Sequence, residues 1–239
     1  MKRALIGCLL LMPLAGQPQK KTESFWDKVL RISGVSASPG SLRGEDQAAS
    51  GDVWSATIAQ APVLLRLTRD GGYGSPIFDS RNENVFALKD AGLYRIPMGG
   101  DSPIRLRTLA GVSKLVGASR DNPDQLLVVT EDVRHVAGAA ILSVGTGTLT
   151  QIAHNPRSAE DQGMLAHLMG WQRVYGDTRV YCENNEKEGP ADSTIEFSDV
   201  YLQHGNEPPL NLTNGNGVSS SQPSLSSNGE RVVFIRSGR

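Results

Sequence analysis

The chain has 239 residues, of which 38% are hydrophobic and 21% are charged, which is typical of a globular protein and excludes wholesale disorder. The formal net charge of −1 gives no basic field for nucleic acid or anionic membranes, so neither is expected as a partner. Glycine (26 residues) and proline (13 residues) are abundant, as in chains rich in hairpin turns.

The first sixteen residues have the pattern of a signal peptide. Lys2-Arg3 is a basic segment, Ala4 to Leu14 is an apolar run, and Ala15-Gly16 are small residues at which cleavage is expected. The apolar run is too short to span a bilayer, so no integral membrane segment is expected after cleavage. We therefore predict a periplasmic or secreted protein. Leu5 to Cys8 resembles a bacterial lipobox, but so few residues precede Cys8 that a lipoprotein is the less favoured alternative.

Removal of the leader leaves 22 basic and 25 acidic residues, a net charge of −3, and a single cysteine, Cys182. The mature chain therefore has no internal disulfide. Cys182 follows a strand-like run and is expected to be a buried, unreactive thiol. Residues 17–51 read as a linker with a short helix containing Phe25 and Trp26, followed by a loose loop rich in Ser, Gly and Ala.

From residue 52 to residue 239 two kinds of hairpin alternate and form one predicted domain. The last repeat shows both kinds. Asp199-Val200-Tyr201 opens one hairpin, which ends at Leu212-Thr213. In the other, the turn Ser227 to Glu230 joins the strand at Ser224-Leu225 to Arg231 to Ile235. We call the first kind outer hairpins and the second kind inner hairpins. The outer hairpins are predicted at 52–68, 92–107, 139–152 and 199–213, and the inner hairpins at 75–88, 114–130, 167–182 and 222–235.

These motifs resemble the WD40-like propeller repeat of TolB-type proteins, in which a pattern of the form DVY/W…LT…G…PSS…G…VVF recurs once per blade. The resemblance implies an all-β fold, a β-propeller of four-stranded antiparallel blades. It also implies an exported, non-enzymatic scaffold that binds a protein or peptide partner, and we expect that scaffold to be a monomer.

The order of the hairpins predicts how the propeller closes. The series starts on an outer hairpin and ends on an inner hairpin, which would leave exposed strand edges at both ends of a linear stack. Pairing of 52–68 with 222–235 in one composite blade would instead close a ring of four blades. The alternative is that the chain forms part of a larger propeller.

The sequence contains no recognisable catalytic constellation, and we predict that the protein is not an enzyme. No Gly-x-Ser-x-Gly motif is present, and the four histidines, His135, His154, His167 and His204, share no metal-binding spacing. Residues 121–124 and 183–186 offer oxygen ligands that suit calcium, and we place both segments on loops. Ordinary turn chemistry also explains them, so no cofactor is predicted, although calcium stays possible. Ser219 to Ser221 is predicted to be a flexible loop between blades.

One cluster departs from the repeat and is the predicted partner-binding site: Trp171, Arg173, Tyr175 and Asp177, with Arg179 beyond them. Aromatic and arginine side chains together favour binding contacts. The competing interpretation is that this blade differs only in how its core is filled. Two other functions stay open, namely a hydrolase or lactonase-like propeller with a metal in its central channel, and a regulatory segment of a larger exported enzyme.

Overall fold

A computed structural model describes residues 50–119, 121–133, 137–153, 174–190, 193–215 and 217–237. The predicted signal peptide and helix-containing linker therefore lie outside the described residues, apart from residues 50 and 51. Trp171, Arg173 and three of the four histidines also lie outside them. Within the described residues, no helix has the length and hydropathy needed to cross a membrane.

The described chain is built from sixteen short strands. They are β1 (Asp52–Thr57), β2 (Leu64–Arg66), β3 (Gly74–Phe78), β4 (Asn84–Lys89), β5 (Gly92–Pro97), β6 (Ile104–Thr108), β7 (Val112–Ala118), β8 (Gln125–Glu131), β9 (Ala137–Ser143), β10 (Leu149–Ala153), β11 (Val174–Tyr175), β12 (Thr178–Glu188), β13 (Thr194–His204), β14 (Leu210–Asn211), β15 (Ser220–Leu225) and β16 (Arg231–Arg236).

The strands form four antiparallel sheets of four strands each, which we call blades. Blade 1 has the order β3-β4-β5-β6, blade 2 the order β10-β9-β8-β7, and blade 3 the order β11-β12-β13-β14. Blade 4 is composite, with the order β15-β16-β1-β2. Each blade joins an inner hairpin to an outer hairpin, so the predicted propeller of four-stranded antiparallel blades is confirmed.

The composite blade joins the two ends of the repeat region. Strand β1 pairs antiparallel with β16 over its whole length, with Val53 opposite Ile235 and Ser55 opposite Val233. The predicted pairing of 52–68 with 222–235 is therefore present. β-branched and aromatic residues dominate β16, which explains why it forms a buried second strand.

Three apolar cores lie between neighbouring blades, because alternate side chains of a strand face opposite sides of its sheet. Val53, Val233 and Ile235 of blade 4 pack against Phe78, Val85 and Ile96 of blade 1. Ile77, Phe86 and Leu93 of blade 1 pack against Leu115, Leu126 and Leu142 of blade 2. Ala56, Val232 and Phe234 of blade 4 pack against Val180, Val200 and Leu202 of blade 3. The described cores thus join the blades in the order 2-1-4-3, and none of them joins blade 3 to blade 2, as a closed ring of four blades would require.

A repeated hydrogen-bond motif explains the Asp-Val…Leu-Thr sequence pattern. In blade 3 the Thr213 hydroxyl donates to Asp199 Oδ1 at 2.7 Å and accepts the Val200 amide at 3.0 Å. In blade 4 the Thr68 hydroxyl donates to Asp52 Oδ1 at 3.1 Å and accepts the Val53 amide at 2.9 Å. Both carboxylates are buried, and each also accepts an amide from the following loop. In these two blades the motif therefore holds the third strand, at its aspartate, to the residues just after the fourth strand.

Two loop predictions were wrong. Ser220 and Ser221 belong to β15, where they pair with Arg236 and Ile235, so the serine run mostly forms the innermost strand of blade 4 instead of a flexible loop. Glu183 to Glu186 lie inside β12, where an unbroken antiparallel ladder to β13 keeps these polar residues in a strand. Turn-forming residue types misled both predictions, because strand pairing overrides weak local preference.

Candidate binding surface on blade 3

The described part of the predicted cluster lies at the turn between β11 and β12. Tyr175 ends β11 and Asp177 follows Gly176, whose φ of +56° suits the tight turn. Both side chains are exposed. The Tyr175 ring lies over the turn of blade 4 at Gly229, where an added Cβ would stand 3.2 Å from Tyr175 Cδ1. The structure thus brings Tyr175 and Asp177 to one end of blade 3, and Tyr175 also contacts the neighbouring blade.

A ladder of aromatic and polar side chains continues from this turn along β12 and β13. Arg179 is directly opposite Gln203, and Tyr181 is directly opposite Tyr201. Arg179 Nε donates to Gln203 Oε1 at 2.9 Å, and its Nη2 donates to the same oxygen. The two tyrosine rings stack with centroids 5.9 Å apart, and the Arg179 guanidinium lies 5.4 Å from the Tyr181 ring centroid. Cation–π and stacking contacts therefore order this surface.

Amide groups fix the far end of the ladder. Asn211 Nδ2 donates to Asp199 Oδ2 at 3.0 Å and to the Tyr201 hydroxyl at 3.2 Å. Asn185 Nδ2 donates to Asp199 Oδ2 at 3.1 Å from the opposite strand. The Tyr201 side chain is held in place, because its hydroxyl accepts the Asn211 amide and its ring stacks against Tyr181.

Burial and the nearby Glu183 carboxylate raise the pKa of Tyr181, while the Arg179 guanidinium acts in the opposite direction. The Tyr181 phenol is therefore neutral at physiological pH and can donate a hydrogen bond. The surface consequently offers one guanidinium, two phenols, amides and, beside Tyr181, the exposed Glu183 carboxylate.

The ladder occupies the face of blade 3 that points away from blade 4. Val180, Val200 and Leu202 face the core shared with blade 4, and strand alternation turns Arg179, Tyr181 and their partners to the other side. In blades 1, 2 and 4 the corresponding face is apolar and covered by a neighbouring blade. On blade 3 Arg179 is exposed and Tyr181, Tyr201 and Gln203 are half-buried. This face is thus the one that departs most from the repeat.

Sequence reasoning named Arg179 but missed Tyr181, Tyr201 and Gln203. A period-two count along Thr178 to Glu183 would have placed Arg179 and Tyr181 on one face. The cross-strand partners could not be assigned, because their register depends on the full length of the β12–β13 ladder.

The other predicted candidates have ordinary structural surroundings. His204 lies at the end of β13, where its Nδ1 is 2.8 Å from the Thr178 hydroxyl. Asp124 accepts the Gly145 amide at 2.5 Å and the Ser143 hydroxyl at 2.6 Å, which fastens one turn of blade 2 to another. Cys182 is half-buried, and its thiol lies 3.6 Å from the Ser220 carbonyl oxygen. Among the described residues, no group of three or more His, Cys, Asp or Glu is placed to hold a metal ion.

Comparison with known proteins gives similarity of structure only. No protein-family model matches the sequence, and no curated protein matches it. A putative TolB from Agrobacterium tumefaciens is similar over 75% of this chain and 59% of its own, with 16% identity and a TM-score of 0.39. TolB from Acinetobacter baumannii is similar over 75% of this chain and 45% of its own, with 11% identity and a TM-score of 0.32.

A third similar structure is the β-propeller domain of the Trilobed protease from Pyrococcus furiosus. It is similar over 70% of this chain and 64% of its own, with 9% identity and a TM-score of 0.28. The chain therefore spans less than two thirds of each of these three structures. At such TM-scores the likeness carries no argument about function, and the propeller fold rests on the strand pairing described above.

Proposed function

We propose that the protein is an exported, non-enzymatic propeller scaffold that binds a protein or peptide partner through the Arg179–Tyr181 face of blade 3. The observation that carries the proposal is that this face bears an ordered aromatic–arginine ladder where the other blades bear covered apolar residues. Tyrosine and arginine are among the residues enriched at the energetically dominant positions of protein interfaces. They are held in place here before a partner arrives, which lowers the entropic cost of binding.

The chemistry of the ladder favours binding over catalysis. Its guanidinium, phenols and amides donate and accept hydrogen bonds, which suits recognition of a partner more than proton transfer. Two carboxylates lie beside the ladder: Glu183 is exposed near Tyr181, whereas Asp199 is buried and saturated by Thr213, Asn211 and the Gly215 amide. The role of Asp199 is structural.

Site-specific photocrosslinking tests the proposal. A photoreactive amino acid replaces Gln203 in one variant and Arg95, an exposed residue of blade 1, in the control. Incubation with extract of the host's cell envelope is expected to yield a discrete protein adduct at position 203 and none at position 95. Adding Arg179→Glu to the first variant should abolish the adduct, whereas adding Arg95→Glu should leave it. Equal labelling at both positions, or no adduct at 203, would reject this face as the binding site.

The proposed export of the protein is tested by a separate experiment. Cell fractionation and N-terminal sequencing of the mature protein are expected to give a cell-envelope or secreted species that begins just after Ala15-Gly16. A cytoplasmic protein that keeps Lys2-Arg3 would contradict the export part of the proposal without bearing on the binding face.

A further inference from the structure

The second and third strands of blade 3 are much longer than their counterparts. Strands β12 and β13 have eleven residues each, whereas β4 and β16 have six and β8 has seven. The repeat shows where the extra length lies: Asp52 is the first residue of β1, but its equivalent Asp199 comes five residues after β13 begins at Thr194. Residues 184–188 and 194–198 thus form a two-stranded arm that extends roughly 17 Å beyond the blade.

One edge of this arm pairs with no strand among the described residues. The Val200 carbonyl accepts the Leu212 amide, so the backbone groups of Val200 point away from β12, to the outer side of β13. Backbone groups alternate in direction along a strand, so those of Ser198, Glu196 and Thr194 point to the same outer side. The Ser198 amide, which points to that side, donates to the Ser219 hydroxyl at 3.4 Å. Strand β14 pairs only with Tyr201 and Leu202. No strand in the described part of the chain pairs with the outer edge of Thr194 to Phe197. This edge can accept another extended segment.

The exposed face of the arm has an unfavourable charge arrangement. Glu186 and Glu196 are directly opposite each other in the ladder, and Glu188 lies two residues further on the same face. All three side chains are exposed, and none forms an ion pair with a described residue. Like charges at directly opposite positions destabilise a strand pair. A cationic side chain beside Glu196 would relieve this repulsion.

We propose that the outer edge of β13 at residues 194–197 binds an extended basic peptide segment of another protein by strand addition. The added strand would hydrogen-bond to the Glu196 backbone, and every second side chain would lie on the face of Glu186 and Glu196. The segment therefore carries Lys or Arg at alternate positions. A second copy of the chain fits poorly, because pairing β13 with itself brings Glu196 close to Glu196. This surface is separate from the Arg179–Tyr181 face, and the proposal does not rest on the proposed function.

Two variants separate the backbone and charge contributions. Glu196→Pro removes the one amide that points outward at the centre of the edge, and it costs no bond to β12 because that amide is not part of the β12 ladder. Glu186→Gln with Glu196→Gln keeps the strand geometry and removes both charges. Glu207→Gln, an exposed carboxylate in the turn at the opposite end of β13, is the matched charge control.

The probe is a seven-residue capped peptide with Lys at alternate positions separated by Val and Thr, titrated into the full chain and followed by amide NMR shifts and hydrogen exchange. We expect saturable shifts at residues 194–198, slower exchange of the Glu196 amide, and binding that weakens with added salt. The double Gln variant should weaken binding about tenfold. Glu196→Pro should abolish it, and Glu207→Gln and Arg179→Glu should leave it unchanged.

Three results would overturn the proposal. The first is no shift at residues 194–198 with peptide at up to about 1 mM, a concentration at which even weak binding is detected. The second is equal affinity of the wild type and the double Gln variant for the peptide. The third is equal binding of a peptide whose lysines are contiguous. If Glu196→Pro fails to fold, the double Gln variant and the contiguous-lysine peptide still decide the outcome. Loss of the crosslink at Gln203 with retained peptide binding would reject the proposed function alone.

Discussion

Asn82 and Ser227 join the turns of two adjacent inner hairpins although 145 residues separate them in the chain. Asn82 Nδ2 donates to the Ser227 hydroxyl at 2.9 Å, and Asn82 Oδ1 accepts the Ser227 amide at 3.0 Å. Asn82 has a φ of +59°, a left-handed conformation that asparagine tolerates better than most residues. One residue thus forms the turn of blade 1 and fastens it to the turn of blade 4.

Replacing Asn82 with glycine separates these two roles, because glycine keeps the left-handed turn and loses the side-chain bonds. We expect Asn82→Gly to lower the free energy of unfolding by about 1–2 kcal/mol, measured by urea denaturation. Arg81→Ala, at an exposed position of the same turn, should stay within about 0.5 kcal/mol of the wild type. Equal stability of the two variants would show that the contact between the turns contributes nothing.

Because β1 and β16 pair in the composite blade, we expect their amides to lose protection from hydrogen exchange together. Phe234 is fully buried between blades 3 and 4, so Phe234→Ala should cost about 3–5 kcal/mol. We expect faster hydrogen exchange at Val53 to Thr57 as well as at Val232 to Ile235, since the ladder bonds of each strand need the other. Val63→Ala, at a largely exposed position, is the control. Increased exchange in β16 with unchanged β1 would contradict the pairing.

The buried threonine of blade 3 can be tested by a matched pair of substitutions. Thr213→Val removes the hydroxyl and leaves the Asp199 carboxylate and the Val200 amide each without one buried partner. We expect a loss of about 1–3 kcal/mol in the free energy of unfolding. Thr213→Ser keeps the hydroxyl and should recover most of that loss. If Thr213→Val is as stable as the wild type, the hydrogen bonds of the Thr213 hydroxyl contribute nothing to stability.

Alkaline pH should weaken the contact between blades 4 and 1 through Tyr73. Burial and the Asp70 carboxylate raise the pKa of Tyr73 above its ordinary value of 10.0. The unfolded chain therefore releases this proton first, so the stabilisation is complete below about pH 10 and is lost as the pH rises through the folded-state pKa.

Tyr73→Phe cannot ionise, and its Tm should fall less than that of the wild type between about pH 9 and pH 11. Near neutral pH the variant loses only a 3.3 Å bond to Asp70, so the two Tm values should be close. Parallel Tm profiles across this range would exclude Tyr73 as a source of the pH dependence.

Much of the fold could be predicted because each repeat is marked by short sequence motifs that recur along the chain. Asp199-Val200 and Leu212-Thr213 recur as Asp52-Val53 and Leu67-Thr68, and the order of the hairpins led directly to the pairing of β1 with β16. The long arm was missed because Glu183 to Glu188 consists of polar, turn-forming residue types. Only their pairing with β13 keeps them extended.

The candidate surface was predicted only in part. Tyr175 and Asp177 stood out as a local departure from the repeat. The ladder that continues from them, with Tyr181 on Tyr201 and Arg179 on Gln203, depends on cross-strand register between residues about twenty apart. A single sequence does not encode that register in any short pattern.

The composite blade also sets the order of events when the chain folds. Strand β1 is made first, yet its central neighbour β16 is made after all of the other described strands. Until then one edge of β1 has no partner, although Val53 and Ala56 are fully buried in the finished fold. Closing so long a loop is slow, and unpaired edges invite association with other chains. The early strands of this design therefore stay open to association with other chains until Arg231 to Arg236 has been made.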